Sequence, residues 1–259
     1  MGVSGASFSL RQKLQADGTV IFPWMGNPGD VQAGQIARMG FDAVALDLQH
    51  GTIDNGEAAR MTAAINATGT PTVVRVLWND PGLVGFALDM GAAAIIAPMT
   101  NSVAQTQALV KAAKYPPLGQ RSWGGYTMVQ ASGVTPGEYL EQANDQTMVF
   151  AMIETQEALD LVDEIASVKG LDGLFVGPSD LSIALTKGAG IDRLGAHTLV
   201  AMEKVAAACK AHGLVAGAFG GTPEGIKAYH ARGFRFMAGP TDTDLIRSGA
   251  TAFQAAVKA

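Results

Sequence analysis

The chain has 259 residues, of which 48% are hydrophobic and 16% charged, and its formal net charge is −5. This composition excludes a disordered chain, and the acidic balance argues against nucleic acid, which binds to basic surfaces. The single cysteine, Cys209, excludes an intrachain disulfide framework and a cysteine-based zinc cluster, while the lack of a long apolar run or a signal-type segment favours a cytoplasmic protein away from membranes.

Short apolar runs along the chain predict eight strands. They are residues 19–22, 43–48, 72–76, 93–97, 148–153, 174–176, 215–218 and 235–238. Pro23 is expected to end the first strand, and Asn55 to cap the helix that follows the second. Helical patterns lie at residues 9–15, 30–39, 55–65, 83–90, 103–113, 136–143, 156–168, 179–185, 196–212, 223–232 and from 242 to the end.

The strict alternation of strand and helix predicts the fold class. It implies parallel strands that are buried on both faces, which explains why the runs are apolar throughout. Eight such units in about 250 residues fit an α/β protein with a closed (β/α)8 TIM barrel. An open doubly wound sheet is the alternative. We expect residues 1–259 to form one domain.

Polar residues follow several of the predicted strands, and in a barrel the carboxyl ends of the strands meet at one mouth. These residues are Asp47, Gln49, His50, Arg75, Glu154 and Asp180. Glu154 and Asp180 are the best metal pair, because two carboxylates without clustered histidine or cysteine suit a cation such as Mg²⁺ or Mn²⁺. The alternative is that Glu154 pairs with a cationic side chain and Asp180 caps its helix.

Three further residues suggest roles in the chemistry. His50 fits a proton-transfer role, with core packing as the alternative. Arg75 is costly to bury unless an anion meets it, which suggests a substrate carboxylate or a developing oxyanion. Asp89 lies at a helix C-terminus, where an anion is disfavoured, so either a partner such as a histidine or simple exposure would account for it.

The sequence also lacks several catalytic signatures. No lysine lies within a predicted strand, which argues against imine catalysis. The chain has no complete dinucleotide fingerprint, P-loop or nucleophile elbow, so no organic cofactor is expected.

An ordered set of motifs resembles one known family over nearly the whole chain. The motifs are Leu46-Asp47-Leu48-Gln49-His50-Gly51, Val74-Arg75-Val76, Leu88-Asp89-Met90-Gly91-Ala92, Lys114-Tyr115-Pro116-Pro117-Leu118-Gly119-Gln120-Arg121, Ile153-Glu154-Thr155 and Val176-Gly177-Pro178-Ser179-Asp180-Leu181-Ser182. The family is that of the metal-dependent HpcH/HpaI pyruvate aldolases.

The resemblance implies roles for individual residues. Glu154 and Asp180 match the metal ligands, His50 the general acid/base, Asp89 the carboxylate that raises the basicity of that histidine, and Arg75 the residue that stabilises the enolate oxygen. The backbone N–H of Ser179 matches the group that receives the substrate carboxylate, and Gly177, Asp180 and Met152 lie beside the substrate.

Two positions depart from the family pattern. Met152 replaces a common Gln, so a hydrogen bond to the substrate is missing, and Gln49 replaces a Glu before the histidine. The resemblance also implies a homohexamer with an exchanged C-terminal helix. We further expect the loop from Arg121 to Tyr126 to close over the aldehyde.

The sequence therefore predicts a lyase that depends on a divalent cation, Mg²⁺, Mn²⁺ or Co²⁺. It is expected to cleave 4-hydroxy-2-oxo acids reversibly, through a metal-bound enolate, into pyruvate or a related 2-oxo acid and an aldehyde. The alternatives are an acyl-CoA lyase of the citrate or malyl-CoA type and a barrel that binds an oxo acid without catalysis.

Overall fold

Eight parallel strands form a closed barrel in the computed structural model, which describes residues 6–16, 18–126, 129 and 133–258. Each strand pairs with the next, and the last pairs with the first, so the predicted (β/α)8 TIM barrel is confirmed. The strands are β1 Val20–Met25, β2 Val44–Asp47, β3 Thr72–Arg75, β4 Ala94–Ala97, β5 Met148–Ile153, β6 Gly173–Val176, β7 Val215–Phe219 and β8 Phe236–Thr241.

Helices surround this barrel and separate its strands. Among the described residues they are α1 Ala6–Gln15, α2 Asp30–Ala37, α3 Asn55–Asn66, α4 Pro81–Met90, α5 Val103–Ala113, α6 Pro136–Gln146, α7 Gln156–Asp160, α8 Val162–Ala166, α9 Pro178–Leu185, α10 Ala196–His212, α11 Pro223–His230 and α12 Asp242–Lys258. Within the described ranges, no helix has both the length and the apolar character needed to cross a membrane.

The structure corrects three local predictions. Strand β1 continues through Pro23 to Met25, because a register shift between its neighbours tolerates a residue without an N–H. Asp54, not Asn55, caps α3, with its carboxylate accepting the N–H of Glu57 at 2.8 Å. The helix expected at 156–168 is divided at Leu161 into α7 and α8.

The strands bury two sets of side chains, because successive residues of a strand point to opposite faces. One set packs between the barrel and its helices, and the other fills the interior of the barrel. In the interior, the ring of Phe150 stacks on that of Phe236 with a centroid distance of 4.4 Å, and Phe22 lies 4.6 Å from Phe236. The interior is thus a packed core, and only the layer at the carboxyl ends of the strands is available for a site.

A buried ion cluster closes the amino end of the barrel. The ammonium of Lys114, itself 1% exposed, lies 2.9 Å from the carboxylate of Asp172 and donates to the carbonyl of Thr147 at 2.7 Å. Arg11 of α1 reaches the other oxygen of Asp172 at 2.6 Å. This buried lysine therefore belongs to the end of the barrel opposite the predicted site.

Candidate active site

A pocket of about 440 Å³ opens at the carboxyl ends of the strands. Its lining comes from most of the strands and from the loops that follow them: Trp24, Asp47, His50, Arg75, Met152, Phe175, Gly177, Pro178, Ser179, Asp180, Ile183, Ile191, Phe219 and Thr241. This volume is in the range that encloses a small organic ligand. The lining is apolar on most sides, with a few convergent polar groups.

The pairing of β2 with β3 puts Asp47 directly beside Arg75. Both side chains are buried, with 6% and 8% of their surface exposed. Nε of Arg75 donates to Oδ1 of Asp47 at 2.8 Å, and Nη2 donates to Oδ2 at 2.5 Å. The anion that Arg75 requires on burial is therefore supplied by the protein itself.

Trp24 completes this arrangement. Its indole Nε1 donates to Oδ2 of Asp47 at 3.1 Å, and the guanidinium carbon of Arg75 lies 5.0 Å from the centre of its ring. Burial alone would raise the pKa of Asp47, but the hydrogen bonds and charge of Arg75, together with the Trp24 N–H, hold it below its usual value of 3.8. Asp47 is thus a carboxylate that stays ionised although it is buried.

Glu154 follows β5 and is 3% exposed. Its Oε1 accepts the backbone N–H of Met99 at 2.6 Å, and Met99 adopts a left-handed backbone conformation with φ of 51°. Burial raises the pKa of Glu154, and the charge of Asp180 adds to this effect. A carbon atom at the Cβ position of Gly177 would lie 2.9 Å from Oε2, so the carboxylate occupies space that only glycine leaves free.

Asp180 lies in the first turn of α9, and Gly177 connects this helix to β6. The N-cap position of this helix is Gly177, without a side-chain cap, so Asp180 does not cap α9. In the described part of the chain, no arginine or lysine forms a salt bridge with Glu154. Neither structural alternative for the pair is therefore seen.

The two carboxylates fit a hard divalent cation. Glu154 is buried, whereas Asp180 is exposed on the pocket wall. The two negative charges would match the charge of a cation held between them, and a ligand could still reach that cation from the pocket. Within the described ranges, no cluster of three or more His, Cys, Asp or Glu forms around a common point. Most coordination positions would thus be left to water and substrate.

His50 lies at the mouth of the pocket with an exposed side chain. Its backbone N–H donates to Oδ1 of Asp47 at 3.3 Å. The core-packing alternative is not seen, and the imidazole is accessible to a ligand in the pocket.

Asp89 does not join the other predicted residues. The carbonyl of Gly91, just after it, accepts a hydrogen bond from Asn66, and Asn66 in turn binds Thr72, the first residue of β3. Asp89 therefore lies at the amino end of the barrel, whereas His50 follows the carboxyl end of β2. At about 3.3 Å per residue, the strands separate the two ends by roughly 10–15 Å.

Within one chain, the partner of Asp89 is an arginine instead of a histidine. Arg121, with 1% of its side chain exposed, donates to Oδ1 of Asp89 at 2.7 Å, and its guanidinium lies 4.8 Å from the ring of Tyr115. The carboxylate itself keeps 35% exposure. Since Arg121 is at the amino end, the loop from Arg121 to Tyr126 does not cover the pocket of its own chain, contrary to the expectation that it closes over the aldehyde.

Comparison with known proteins assigns the chain to a family. Residues 24–248 match the description HpcH/HpaI aldolase/citrate lyase. The chain belongs to the HpcH/HpaI family. It is 38% identical over 229 residues to the hydroxypyruvate/pyruvate aldolase of Rhizorhabdus wittichii, with 88% of this chain and 89% of that protein covered. It is 35% identical to the 2-dehydro-3,6-dideoxy-6-sulfogluconate aldolase of Pseudomonas putida, with 91% of each covered.

A solved structure agrees with this assignment. An HpcH/HpaI family protein from Burkholderia cenocepacia superimposes with a TM-score of 0.85 at 32% identity, covering 97% of this chain and 99% of that one. The predicted family and enzyme class are thus confirmed, and the chain is a lyase of the HpcH/HpaI family.

Several residues of this HpcH/HpaI pocket were missed in the sequence. Trp24 was missed because Pro23 was expected to end β1, although Phe22 and Trp24 share the interior face by simple alternation. In the sequence, Phe175 and Phe219 cannot be told apart from other apolar residues of the core. The interaction of Met99 with Glu154 depends on a left-handed residue outside any regular element, for which the sequence carries no signal.

Proposed function

We propose that the chain is a divalent-metal-dependent aldolase that reversibly cleaves 4-hydroxy-2-oxo acids into pyruvate, or a related 2-oxo acid, and an aldehyde. The observation that carries the proposal is the pair of carboxylates at this end of the barrel. Asp180 lines the pocket beside Arg75 and His50, and Glu154 is buried near enough for the charge of Asp180 to raise its pKa. The names of the relatives, a hydroxypyruvate/pyruvate aldolase among them, support pyruvate as the donor.

The residues divide the chemistry among them. The backbone N–H of Ser179, at the start of α9, receives the substrate carboxylate. A Mg²⁺, Mn²⁺ or Co²⁺ ion held by Glu154 and Asp180 would polarise the 2-oxo group when bound. Arg75 donates N–H groups to the oxygen on which negative charge develops.

The cleavage step breaks the C3–C4 bond. His50 takes the proton of the 4-hydroxyl group, the C4–O bond becomes the aldehyde carbonyl, and the electrons of C3–C4 pass into the enolate of pyruvate. Protonation of C3 then gives pyruvate. In the direction of addition, the same groups act in reverse.

Asp89 serves His50 only if it comes from a second subunit, because the two lie at opposite ends of the barrel within one chain. We therefore propose a homo-oligomer, a hexamer in the simplest form, in which Asp89 of the partner subunit reaches the mouth of the pocket. The one-third exposure of its carboxylate supports this role. The oligomer itself is supported by α12, which exposes the apolar residues Ile246, Phe253 and Val257. Soluble monomers rarely expose such a set.

The two departures from the family pattern bear on the substrate. Met152 contributes a thioether to the pocket instead of an amide, so the donor side is less polar there. Gln49 brings no charge next to His50, and its buried Oε1 has no hydrogen-bond partner among the described residues. We infer that the substrate contact at Met152 is apolar. We also propose that the enzyme is cytoplasmic.

An acyl-CoA lyase is the less favoured function. A nucleotide diphosphate needs a basic cluster. Among the described residues of the pocket lining, the only arginine is Arg75, whose charge is matched by Asp47, and there is no lysine. A barrel that binds an oxo acid without turnover is distinguished by assay alone.

The proposal is tested by pyruvate release from 4-hydroxy-2-oxo acids, coupled to lactate dehydrogenase. We expect turnover to be lost in EDTA and restored by added Mg²⁺, Mn²⁺ or Co²⁺. Indifference to chelation would overturn the metal hypothesis, and binding without turnover would favour the non-catalytic barrel. Inactivation by borohydride in the presence of pyruvate would reveal an imine-forming lysine instead.

A further inference from the structure

Asp47 has no role in the reaction proposed above. Among the described contacts, however, its carboxylate makes more hydrogen bonds than any other side chain on the pocket lining. We propose that Asp47 is a positioning residue, whose carboxylate orients Arg75, balances its charge, and fixes the turn that carries His50. The inference rests on the proposed function only in that Arg75 and His50 act on the substrate.

The two oxygens of Asp47 receive five N–H donors between them. Oδ1 accepts Nε of Arg75 at 2.8 Å and the backbone N–H groups of Gln49 and His50 at 3.0 and 3.3 Å. Oδ2 accepts Nη2 of Arg75 at 2.5 Å and Nε1 of Trp24 at 3.1 Å. A carboxylate offers about four lone-pair sites, so this one is fully used.

For Arg75 the consequence is a fixed direction. The bidentate pair holds the guanidinium plane at one edge, and the ring of Trp24 lies against it at 5.0 Å. The pair engages Nε and Nη2, and the remaining donors of the guanidinium are left for the pocket that Arg75 lines. Because the pair is neutral, a ligand meets directed N–H groups instead of a free cation.

For His50 the consequence is a fixed backbone. An Asp that accepts N–H groups two and three residues ahead stabilises a tight turn. The turn is packed closely, since a Cβ on Gly51 would lie 2.3 Å from the carbonyl of Asp47 and 2.8 Å from that of Gly26. One carboxylate thus sets the relative position of two groups that are proposed to act on opposite ends of the reacting bond.

The test is the substitution Asp47→Asn, which keeps the volume and one acceptor but removes the charge and turns an NH₂ group toward Arg75. We expect kcat for pyruvate release to fall about 10- to 100-fold, with a smaller change in KM, because the guanidinium loses its orientation. Asp172→Asn is the matched control. It removes a buried carboxylate that also pairs with an arginine, at the other end of the barrel, and it should leave kcat of the folded enzyme unchanged.

A double-mutant cycle separates positioning from simple structure. In the Arg75→Ala background, Asp47→Asn should cost little further kcat if Asp47 acts mainly through Arg75. Added guanidinium ion should partly rescue Arg75→Ala, because Asp47 still offers its two oxygens, and should not rescue the double variant. A merely structural role predicts additive losses and equal rescue in both backgrounds.

Each outcome bears on a different claim. If Arg75→Ala keeps wild-type turnover, the role of Arg75 in the proposed function fails, and the inference fails with it. If Arg75→Ala is impaired but Asp47→Asn is not, only the inference fails. Should Asp47→Asn not fold, Asp47→Glu keeps the charge but shifts the carboxylate by one methylene, and unchanged kcat in that variant would equally contradict precise positioning.

Discussion

Arg75 and Asp47 illustrate how much of a site is decided by individual residues. From the sequence, the arginine was expected to need an anion, and Asp47 was identified only as a polar residue at a strand end. That the two meet depends on the register of β2 with β3, which pairs them directly. Register is fixed by packing of the whole barrel, so no local pattern predicts it.

The same pair predicts a pH dependence of stability. The folded-state pKa of Asp47 lies below its usual value of 3.8. Between these two pKa values the unfolded chain therefore binds more protons than the folded chain. The stabilisation is therefore complete above about pH 4 and is lost as the pH falls through the folded pKa. Because Asn does not titrate, the advantage of wild type over Asp47→Asn should shrink in acid.

Urea unfolding in EDTA, from neutral pH to about pH 3, measures this difference. Other carboxylates are common to both proteins and cancel. A difference that stays constant across the range would show that the pKa of Asp47 is not lowered.

At the level of strands and helices, periodicity predicted nearly everything that places the site. The strand ends at Asp47, Arg75 and Glu154 were identified, and so was the turn from β6 into α9. The errors fall where a local rule was overridden. Pro23 was expected to end β1, but the bulge between its neighbours allows it inside the strand and brings Trp24 into the pocket.

Gly173, at the start of β6, shows how closely the strands are packed. A Cβ at this position would lie 2.3 Å from the ring of Phe150 and 2.5 Å from the carbonyl of Val215. We expect Gly173→Ala to destabilise the protein by about 3 kcal/mol, since neither the backbone nor the stacked ring can move freely.

Gly85, inside α4, is the matched control, because an added methyl group there meets no heavy atom within 4 Å. Gly85→Ala should stabilise the protein by about 0.5 kcal/mol through the lower entropy of the unfolded chain. Both values follow from urea unfolding. Similar stability for the two variants would contradict the close packing of β6.

For the molecule as a whole, the sequence identified residues but not the end of the barrel to which each belongs. His50 and Asp89 were expected to interact, and the structure separates them by the length of the strands. Under the proposed function the two residues serve one site, and residues at opposite ends of a barrel can meet only across subunits. One sequence alone does not distinguish a contact within a chain from a contact between chains.

Subunit complementation tests this arrangement. His50→Ala and Asp89→Asn should each be inactive alone. When the two proteins are dissociated, mixed in equal amounts and reassembled, about a quarter of the sites should combine an intact His50 with an intact Asp89 of the partner subunit and regain activity.

A mixture of His50→Ala with Arg75→Ala is the control. Both residues line the same pocket of one chain, so mixing should restore nothing. Recovery in the control, or none in the first mixture, would contradict a site shared between subunits.

Trp24 gives the protein an optical property of its own. Of the three tryptophans, it is 5% exposed, whereas Trp78 and Trp123 are 53% and 39% exposed. Its indole touches both members of the ion pair on which the pocket depends. We therefore expect the fluorescence that survives an aqueous quencher to come mainly from Trp24, and to change when a ligand fills the pocket.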